Sequence, residues 1–153
     1  MRQKKRTIFT PLILMLAASL ISVFALSAAL PASVLASGTG LFVTVDISPA
    51  LKARTNPEQV VFIYAKAVHG PKAPLAAVRT QVKNLPFTVT LDDSKALTPM
   101  FKLSNFKDVE VSARVSQSGQ ATRGSGDLEG VSPEITLGES NRPVKVIIDH
   151  IVP

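Results

Sequence analysis

The stretch DVEVSARVS, residues 108–116, decides the fold, because apolar and polar side chains alternate along it without a break. An alternation with a period of two is typical of a β-strand that turns one face toward a core. We therefore predict that Arg114 and Glu110 face outward and that the alternate side chains are buried. The residues predicted to face the core are Val109, Val111, Ala113 and Val115.

The same alternation recurs on both sides of this stretch. One run, VVFIYAKAV (60–68), is apolar on both faces, as is typical of a central strand covered from two sides. Turn residues such as Asn84-Leu85-Pro86 separate the runs. Short strands at this spacing predict an all-β fold, an immunoglobulin-like antiparallel β-sandwich of about seven strands. The predicted strands cover residues 41–47, 60–68, 76–83, 87–91, 108–116, 135–137 and 144–152.

One segment, DDSKALTPMFKLSNF (92–106), shows neither the two-residue alternation of a strand nor the 3.6-residue period of a helix. We predict that it is a structured crossover between the two sheets, in which an acidic residue or Ser94 caps a short turn. The paired acids Asp92 and Asp93 point to opposite sides of an extended chain, so they make a poor acid/base pair. Hydrogen bonds from their carboxylates to backbone N–H groups would instead hold the crossover in place.

The N-terminal residues 1–36 predict export. Four cations within the first six residues precede a stretch, Thr7–Leu30, of 24 uncharged residues. This pattern fits a signal peptide cleaved after Ala36, and it equally fits a single membrane anchor helix, for which 7–30 is long enough. Either interpretation divides the chain into an export segment, 1–36, and a β domain, 37–153, that lies outside the cytoplasm.

Composition excludes several classes of function. The formal net charge of +6 falls to an excess of two without the four N-terminal cations, which leaves no basic footprint for nucleic acid. The chain has no cysteine, and this excludes thiol chemistry and cysteine-based haem or zinc sites. Nucleophile elbows, phosphate-binding glycine loops and zinc-protease motifs are missing from the sequence. We predict a protein that is not an enzyme and that binds no cofactor or metal.

The two histidines are the remaining candidates for metal chemistry. His150 shares parity with Val146 and Ile148, so it is predicted to point inward at the end of its strand. A turn histidine at His69 and a strand-end histidine are the ordinary interpretation. The rival hypothesis is a metal- or haem-handling site, and its residues would be His69, His150, Met100 and Asp149.

Partner-binding candidates come from exposed strand positions, a stiff loop and the crossover. Arg114 could meet a carboxylate of a partner, although a pair within the sheet is the ordinary explanation. Pro71 and Pro74 stiffen the loop HGPKAPL and would also form a ridge for an extended peptide. The complete set of partner-binding candidates is Pro71, Pro74, Leu91, Asp92, Asp93, Ser94, Met100, Phe101 and Arg114.

Several long runs within residues 61–130 point to a known family. They are VFIYAKA, GPKAPL, LPFTVTLDDS, VSARVSQSGQA and GDLEG, and VKVIIDHIVP follows as a closing strand. In this order and spacing they resemble the C-terminal periplasmic domain of the cytochrome c-type biogenesis protein family CcmI, also called CycH. The resemblance implies an immunoglobulin-like fold and a role in cytochrome c maturation, where the family holds apocytochrome c outside the inner membrane for haem attachment.

We therefore expect a non-enzymatic periplasmic binding or assembly module, soluble after cleavage or anchored in the inner membrane. Its ligand would be a polypeptide, either apocytochrome c or another maturation component. An extended segment could add to a sheet edge, or an amphipathic helix could lie in a groove beside the 92–106 crossover. The alternatives are a structural domain of the cell envelope unrelated to cytochromes and the metal- or haem-handling protein described above. The family's helical repeat region, which carries much of the apocytochrome recognition, has no counterpart in this sequence.

Overall fold

The computed structural model describes residues 40–139 and 143–153. The predictions for the export segment, 1–36, fall outside these residues. Within them, no helix combines the length and the apolar character that crossing a bilayer requires.

The described chain forms nine strands in two sheets, with one helix of four residues, α1 (Pro49–Lys52). The run 135–137 is a strand as predicted, and the run 144–152, predicted as one strand, contains two. The prediction missed one strand, the four-residue run Leu128–Val131. The strands are β1 (Leu41–Ile47), β2 (Val60–Ala67), β3 (Ala76–Gln81), β4 (Phe87–Leu91), β5 (Asp108–Ser116), β6 (Leu128–Val131), β7 (Ile135–Thr136), β8 (Val144–Ile148) and β9 (His150–Ile151).

The smaller sheet has the order β4-β1-β8, and the larger one has the order β3-β2-β5-β6-β9 with β7 beside β5. This arrangement confirms the predicted β-sandwich. The prediction that all strands are antiparallel is wrong for one pair, because β1 and β8 run parallel, with Val45 opposite Val146. The two strands are far apart in the chain, so no hairpin constrains them to run in opposite directions.

The C-terminal run 144–152, predicted as one strand, contributes to both sheets. It pairs with β1 as β8 and then with β6 as β9. The break lies at Asp149, whose backbone N–H donates to the carbonyl of Glu129 at 3.2 Å. The inward orientation predicted for His150 is therefore wrong, because the strand changes sheets before that residue, and the His150 side chain is 48 % exposed.

The core lies between the two sheets, and it consists of the alternate side chains that the sequence pattern selected. Each of the four residues predicted to be buried in β5 is fully buried. Their burial confirms the strand register, and the removal of this apolar surface from water is the main term that stabilises the sandwich. The fully buried aliphatic residues that meet them from other strands include Val43, Val45, Val61, Ile63, Leu91 and Ile148.

The backbones of the two sheets come into close contact at Gly130 of β6. A Cβ atom at this position would lie 2.0 Å from the carbonyl oxygen of Ile147 in β8. No side chain fits in that space, so only glycine allows the backbones of the two sheets to come this close.

The opposite face of β5 is covered as well. Ser112, Arg114 and Ser116 are all buried. The loop 117–127 folds back over Arg114 and Ser116, which donate to its carbonyls at Thr122 and Gln120. Arg114 points to the outer face of the sheet as predicted, but the expectation that it is exposed there is wrong. Its parity is as expected, but the surface to which it points is covered by a loop that the local alternation does not reveal.

Candidate functional site

A groove of ≈ 310 Å³ lies on the outer face of the larger sheet. Its floor comes from the residues of β2 that alternate with the buried ones, and loops on either side form its walls. Most of the lining is aromatic or aliphatic, and two lysines complete it. The lining residues are Phe62, Tyr64, Lys66, Lys72, Pro74, Ala77, Leu97 and Ala121.

Phe62 is held between two arginines from the neighbouring strands. In the sheet register it faces Arg79 of β3 on one side and Arg114 of β5 on the other. The guanidinium carbons lie 5.9 and 5.5 Å from the ring centroid. Both distances fall within the range of a cation–π attraction, so the ring is fixed by electrostatics as well as by packing.

Tyr64 is fixed at both ends of its side chain. Its hydroxyl donates to Oε1 of Glu129 at 3.3 Å, and Nζ of Lys66 lies 5.7 Å from the ring centroid. Glu129 also accepts a hydrogen bond from Nε of Arg123 at 2.9 Å. Lys66 in turn forms an ion pair with Glu110 at 3.0 Å. The floor of the groove is thus pre-ordered before any ligand arrives.

The wall at Ala121 is fixed by a buried ion pair. Arg114 donates to the carboxylate of Asp127 and to the carbonyls of Ala121 and Thr122. Burial by itself would raise the pKa of Asp127, but hydrogen bonds from the backbone N–H groups of Gln117 and Gly124, together with Arg114, outweigh it and lower the pKa. The carboxylate therefore stays ionised and ties the loop 117–127 to β5.

The opposite wall belongs to the crossover that joins β4 to β5. Two 3₁₀ turns, Asp93–Lys95 and Leu103–Asn105, shape it. Asp92 accepts a hydrogen bond from the backbone N–H of Ser94 at 2.8 Å. Asp93 reaches across the crossover to Ser104, accepting from its N–H at 2.9 Å and from its hydroxyl at 2.6 Å. These bonds confirm the prediction that the acidic pair holds the crossover.

The hydroxyl of Ser104 makes the largest contribution to a lowered pKa of Asp93, followed by the Ser104 N–H, and nearby Lys102 adds to it, while burial acts in the opposite direction. The ionised carboxylate consequently holds the two 3₁₀ turns together at neutral pH. Between them the side chain of Leu97 is 59 % exposed, and it forms part of the groove lining.

The partner-binding candidates from sequence do not form one surface. Pro74 lines the groove, and Pro71 is half-buried nearby in the chain. Leu91 is fully buried in the core, and Phe101 packs against the core cluster. Met100 is 74 % exposed but is not part of the groove lining. Ser94, Asp92 and Asp93 act within the crossover, and Arg114 acts within the sheet.

The residues of the proposed metal site are also not gathered together. His150 contacts Asp149, with Nδ1 3.0 Å from its carboxylate, and His69 lies on an exposed loop. In the two described ranges, 40–139 and 143–153, no group of three or more potential ligand side chains could hold a metal ion.

Sequence reasoning missed the outward residues of β2, namely Phe62, Tyr64 and Lys66. A signal for them was present, because the run 60–68 is apolar on both faces. That pattern indicated cover on the outer face, and the structure shows a groove there that is only partly covered. Leu97 and Lys72 had no periodic signal, since both belong to irregular segments.

A sheet edge is the second binding surface that the sequence suggested. Among the described strands, β4 ends the smaller sheet and has β1 as its one neighbour. Next to it, Phe42 of β1 is 53 % exposed on the outer face. This edge lacks the aromatic floor and the fixed walls of the groove, so the groove is the better-formed site.

Comparison with known proteins agrees with this architecture. Residues 41–149 match the sequence profile described as the cytochrome c-type biogenesis protein H Ig-like domain. The "Cytochrome c-type biogenesis protein CycH" of Pseudomonas aeruginosa is 47 % identical over 94 residues, which are 61 % of this chain and 23 % of that protein. The chain thus spans less than a quarter of its relative.

A solved structure, the alternative pilotin from the type II secretion system of Vibrio cholerae, is 16 % identical and covers 72 % of this chain and 96 % of its own. Its TM-score of 0.41 is too low to support an argument. The profile match, by contrast, spans both sheets from β1 to Asp149. The chain belongs to the family of cytochrome c-type biogenesis protein H Ig-like domains.

Proposed function

We propose that the β domain is a non-enzymatic binding module in cytochrome c maturation, and that it holds a polypeptide, apocytochrome c or another maturation component, in the outer groove. The observation that carries the proposal is an exposed apolar groove with a floor and walls fixed by hydrogen bonds and ion pairs. Membership of the biogenesis family supports the choice of pathway.

The shape of the groove favours a polypeptide over a small molecule. Its volume of ≈ 310 Å³ is at the lower limit of typical ligand sites, which run from ~300 to ~1,000 Å³. A groove of this size accepts one or two side chains of a longer ligand. Fixed aromatic rings bind such side chains well, because little conformational entropy is lost when the complex forms.

We place this activity in the periplasm, with residues 1–36 acting as a cleaved signal peptide or as an inner-membrane anchor. The basic start and the long apolar stretch support export. Fractionation of cells that carry the full chain with a C-terminal tag tests the location, and N-terminal sequencing shows whether the mature protein starts at Ser37. A tagged protein found only in the cytoplasm would overturn this part of the proposal.

Binding of the purified full chain, kept in mild detergent, to a labelled peptide from apocytochrome c would test the function by fluorescence anisotropy. The scrambled peptide is the control ligand. We expect weak binding of the native peptide without haem, since a small interface must still overcome the cost of association. Equal binding of both peptides, or none at high concentration, would favour a structural domain of the envelope.

Two exposed residues of the crossover give a matched pair of variants. Leu97 lines the groove and Met100 does not, although both are exposed apolar residues. Leu97→Asp should weaken peptide binding about tenfold, which corresponds to ~1.4 kcal/mol. Met100→Asp and substitutions at His69 or His150 should leave the affinity within about twofold. Equal losses in all variants would show that the peptide binds elsewhere.

A further inference from the structure

Positive charge lies at one end of the groove and beside the other, and the described residues that line it include no acidic side chain. Lys72 is exposed at the end formed by the β2–β3 loop. Arg79 is not a lining residue, but it is exposed beside the other end, where its guanidinium lies over the ring of Phe62. Neither cation forms an ion pair with any residue in 40–139 or 143–153.

The spacing of these charges follows from the geometry of β2. Phe62, Tyr64 and Lys66 alternate along one face of the strand, so the first and last of them are about 13 Å apart. Arg79 is opposite Phe62 in the register, and Lys72 accompanies Lys66 in the groove lining. The charge of Lys66 is already matched by Glu110. An apolar floor around Tyr64 and Ala77 is thus bounded by Lys72 at one end and by Arg79 beside the other, and neither has an ion-pair partner among the described residues.

We propose, building on the proposed function, that the groove recognises an acidic peptide segment in which one apolar side chain is flanked on both sides by side-chain carboxylates. In an extended segment, residues four apart are also separated by about 13 Å. The pattern that fits is therefore acidic–x–apolar–x–acidic. The apolar side chain contacts Tyr64 and Ala77, and the carboxylates contact Arg79 and Lys72.

Charge complementarity decides between the possible segments. A guanidinium donates two parallel hydrogen bonds to a carboxylate, and such charge-assisted bonds are stronger than neutral ones. A basic segment would instead bring like charges together at both ends of the groove, which costs free energy. Because both cations are exposed, the preference depends on salt and weakens as the Debye length falls to a few Å.

The test uses three short fluorescein-labelled peptides with the full-length protein in detergent. Each peptide has a central leucine, and the residues two positions before and after it are Glu, Gln or Lys. We expect the Glu peptide to bind about tenfold more tightly than the Gln peptide at low salt, and the Lys peptide to bind most weakly. The difference between the Glu and Gln peptides should shrink toward zero at about 1 M salt.

Charge reversal at the groove gives the second measurement. Arg79→Glu and Lys72→Glu should each remove the preference for the Glu peptide, and both together should favour the Lys peptide. Lys52→Glu is the matched control, because it changes the net charge equally at an exposed position of α1 outside the groove. It should leave the order of the three peptides unchanged.

The outcomes separate this inference from the proposed function. If the Glu and Gln peptides bind equally, or if the Lys peptide binds best, the acidic preference is overturned. In that case, if Leu97→Asp still weakens binding of the Gln peptide, the groove remains a polypeptide-binding site. If none of the three peptides and no apocytochrome peptide binds, both the inference and the proposed function are overturned.

Discussion

Arg114 of β5 and Asp127, the residue before β6, form an ion pair whose side chains are 1 % and 2 % exposed. The pair connects the centre of the larger sheet to the loop 117–127. Asp127 accepts further hydrogen bonds from the N–H groups of Gln117 and Gly124, at 2.8 and 2.9 Å. The loop that forms one wall of the groove is thus attached to the sheet through this carboxylate and through the carbonyls of Gln120, Ala121 and Thr122, which accept from Ser116 and Arg114.

Removal of that carboxylate should destabilise the domain strongly. Asp127→Ala leaves the guanidinium of Arg114 buried without its counter-ion, and we expect a loss of about 3–5 kcal/mol in the free energy of unfolding. The matched control is Glu58→Ala, which breaks the exposed pair with Lys83 and should cost at most about 1 kcal/mol. Urea unfolding followed by circular dichroism measures both, and similar losses would contradict a special role for the buried pair.

The stability of the domain should fall at acid pH, and Asp93 should contribute to the fall. Its pKa is lowered from an ordinary value of 3.8, so the folded protein binds this proton less tightly than the unfolded chain does. The resulting stabilisation is present above that value and is lost as the pH falls through the lower pKa of the folded state. The free energy of unfolding, measured between about pH 5 and pH 2, should therefore depend less on pH in Asp93→Asn.

Ser104→Ala provides the control for this acid dependence. It removes the hydroxyl that lowers the pKa of Asp93 most, so the NMR titration of that carboxyl should shift toward its ordinary value. In the double variant, Asp93→Asn with Ser104→Ala, the free energy of unfolding should depend on pH no less than in Asp93→Asn alone, since the two groups form one interaction. An additive effect of the two substitutions would count against the proposed contact.

Val111 on the inner face of β5 should be more sensitive to truncation than Glu110 on the outer face. Val111 is fully buried, and Val111→Ala should cost about 1–3 kcal/mol, because two methyl groups are lost and part of a cavity remains. Glu110, one residue away, forms a partly exposed pair with Lys66, and Glu110→Ala should cost within about 0.5 kcal/mol. Denaturant unfolding compares the two, and a greater loss in Glu110→Ala would contradict the observed register.

Gly130 should tolerate no side chain. A methyl group there would collide with the backbone of Ile147 rather than with a flexible side chain, so the two sheets would have to separate. We expect Gly130→Ala to cost at least about 3 kcal/mol, the upper end of the range for overpacked sites. A Cβ atom at Gly124 would make one ordinary contact, 3.8 Å from Oδ2 of Asp127, and the backbone there is not left-handed, so Gly124→Ala should change stability by less than about 1 kcal/mol. Equal thermal stability of the two variants would disprove the close approach.

The sequence pattern predicted those features that depend on local periodicity. The inward residues of β5 and the bridging role of 92–106 follow from alternation, turn residues and the chemistry of Asp92 and Asp93. The burial of Arg114 does not follow from local periodicity, because it depends on a loop that begins three residues later and folds back over the side chain. The change of sheet at Asp149 is equally hidden, since 144–152 reads as one uninterrupted strand.

The candidate site was predictable only in part. Pro74 and the region beside the crossover were expected, and they do border the groove. Phe62 and Tyr64 were recognised as strand residues, but whether an outward aromatic residue is covered depends on neighbours that are distant in the chain. The position of Arg79 depends on the sheet register, which places it opposite Phe62, and that of Lys72 depends on the path of the β2–β3 loop. A single sequence contains no direct signal for such a pairing.

The pairing of β1 with β8 determines when the domain can finish folding. Strand β1 lacks its neighbour β8 until residues 144–148 are present. Strand β6 likewise lacks its neighbour β9 until His150 and Ile151 are present. Contacts between such distant parts of a chain form slowly, because a large loop must close before they stabilise anything. A polypeptide that is threaded through a membrane channel from its N-terminus would therefore stay open until its final strand emerges. For a domain proposed to work outside the cytoplasm, late closure keeps the chain competent for transport and makes folding the last step of its delivery.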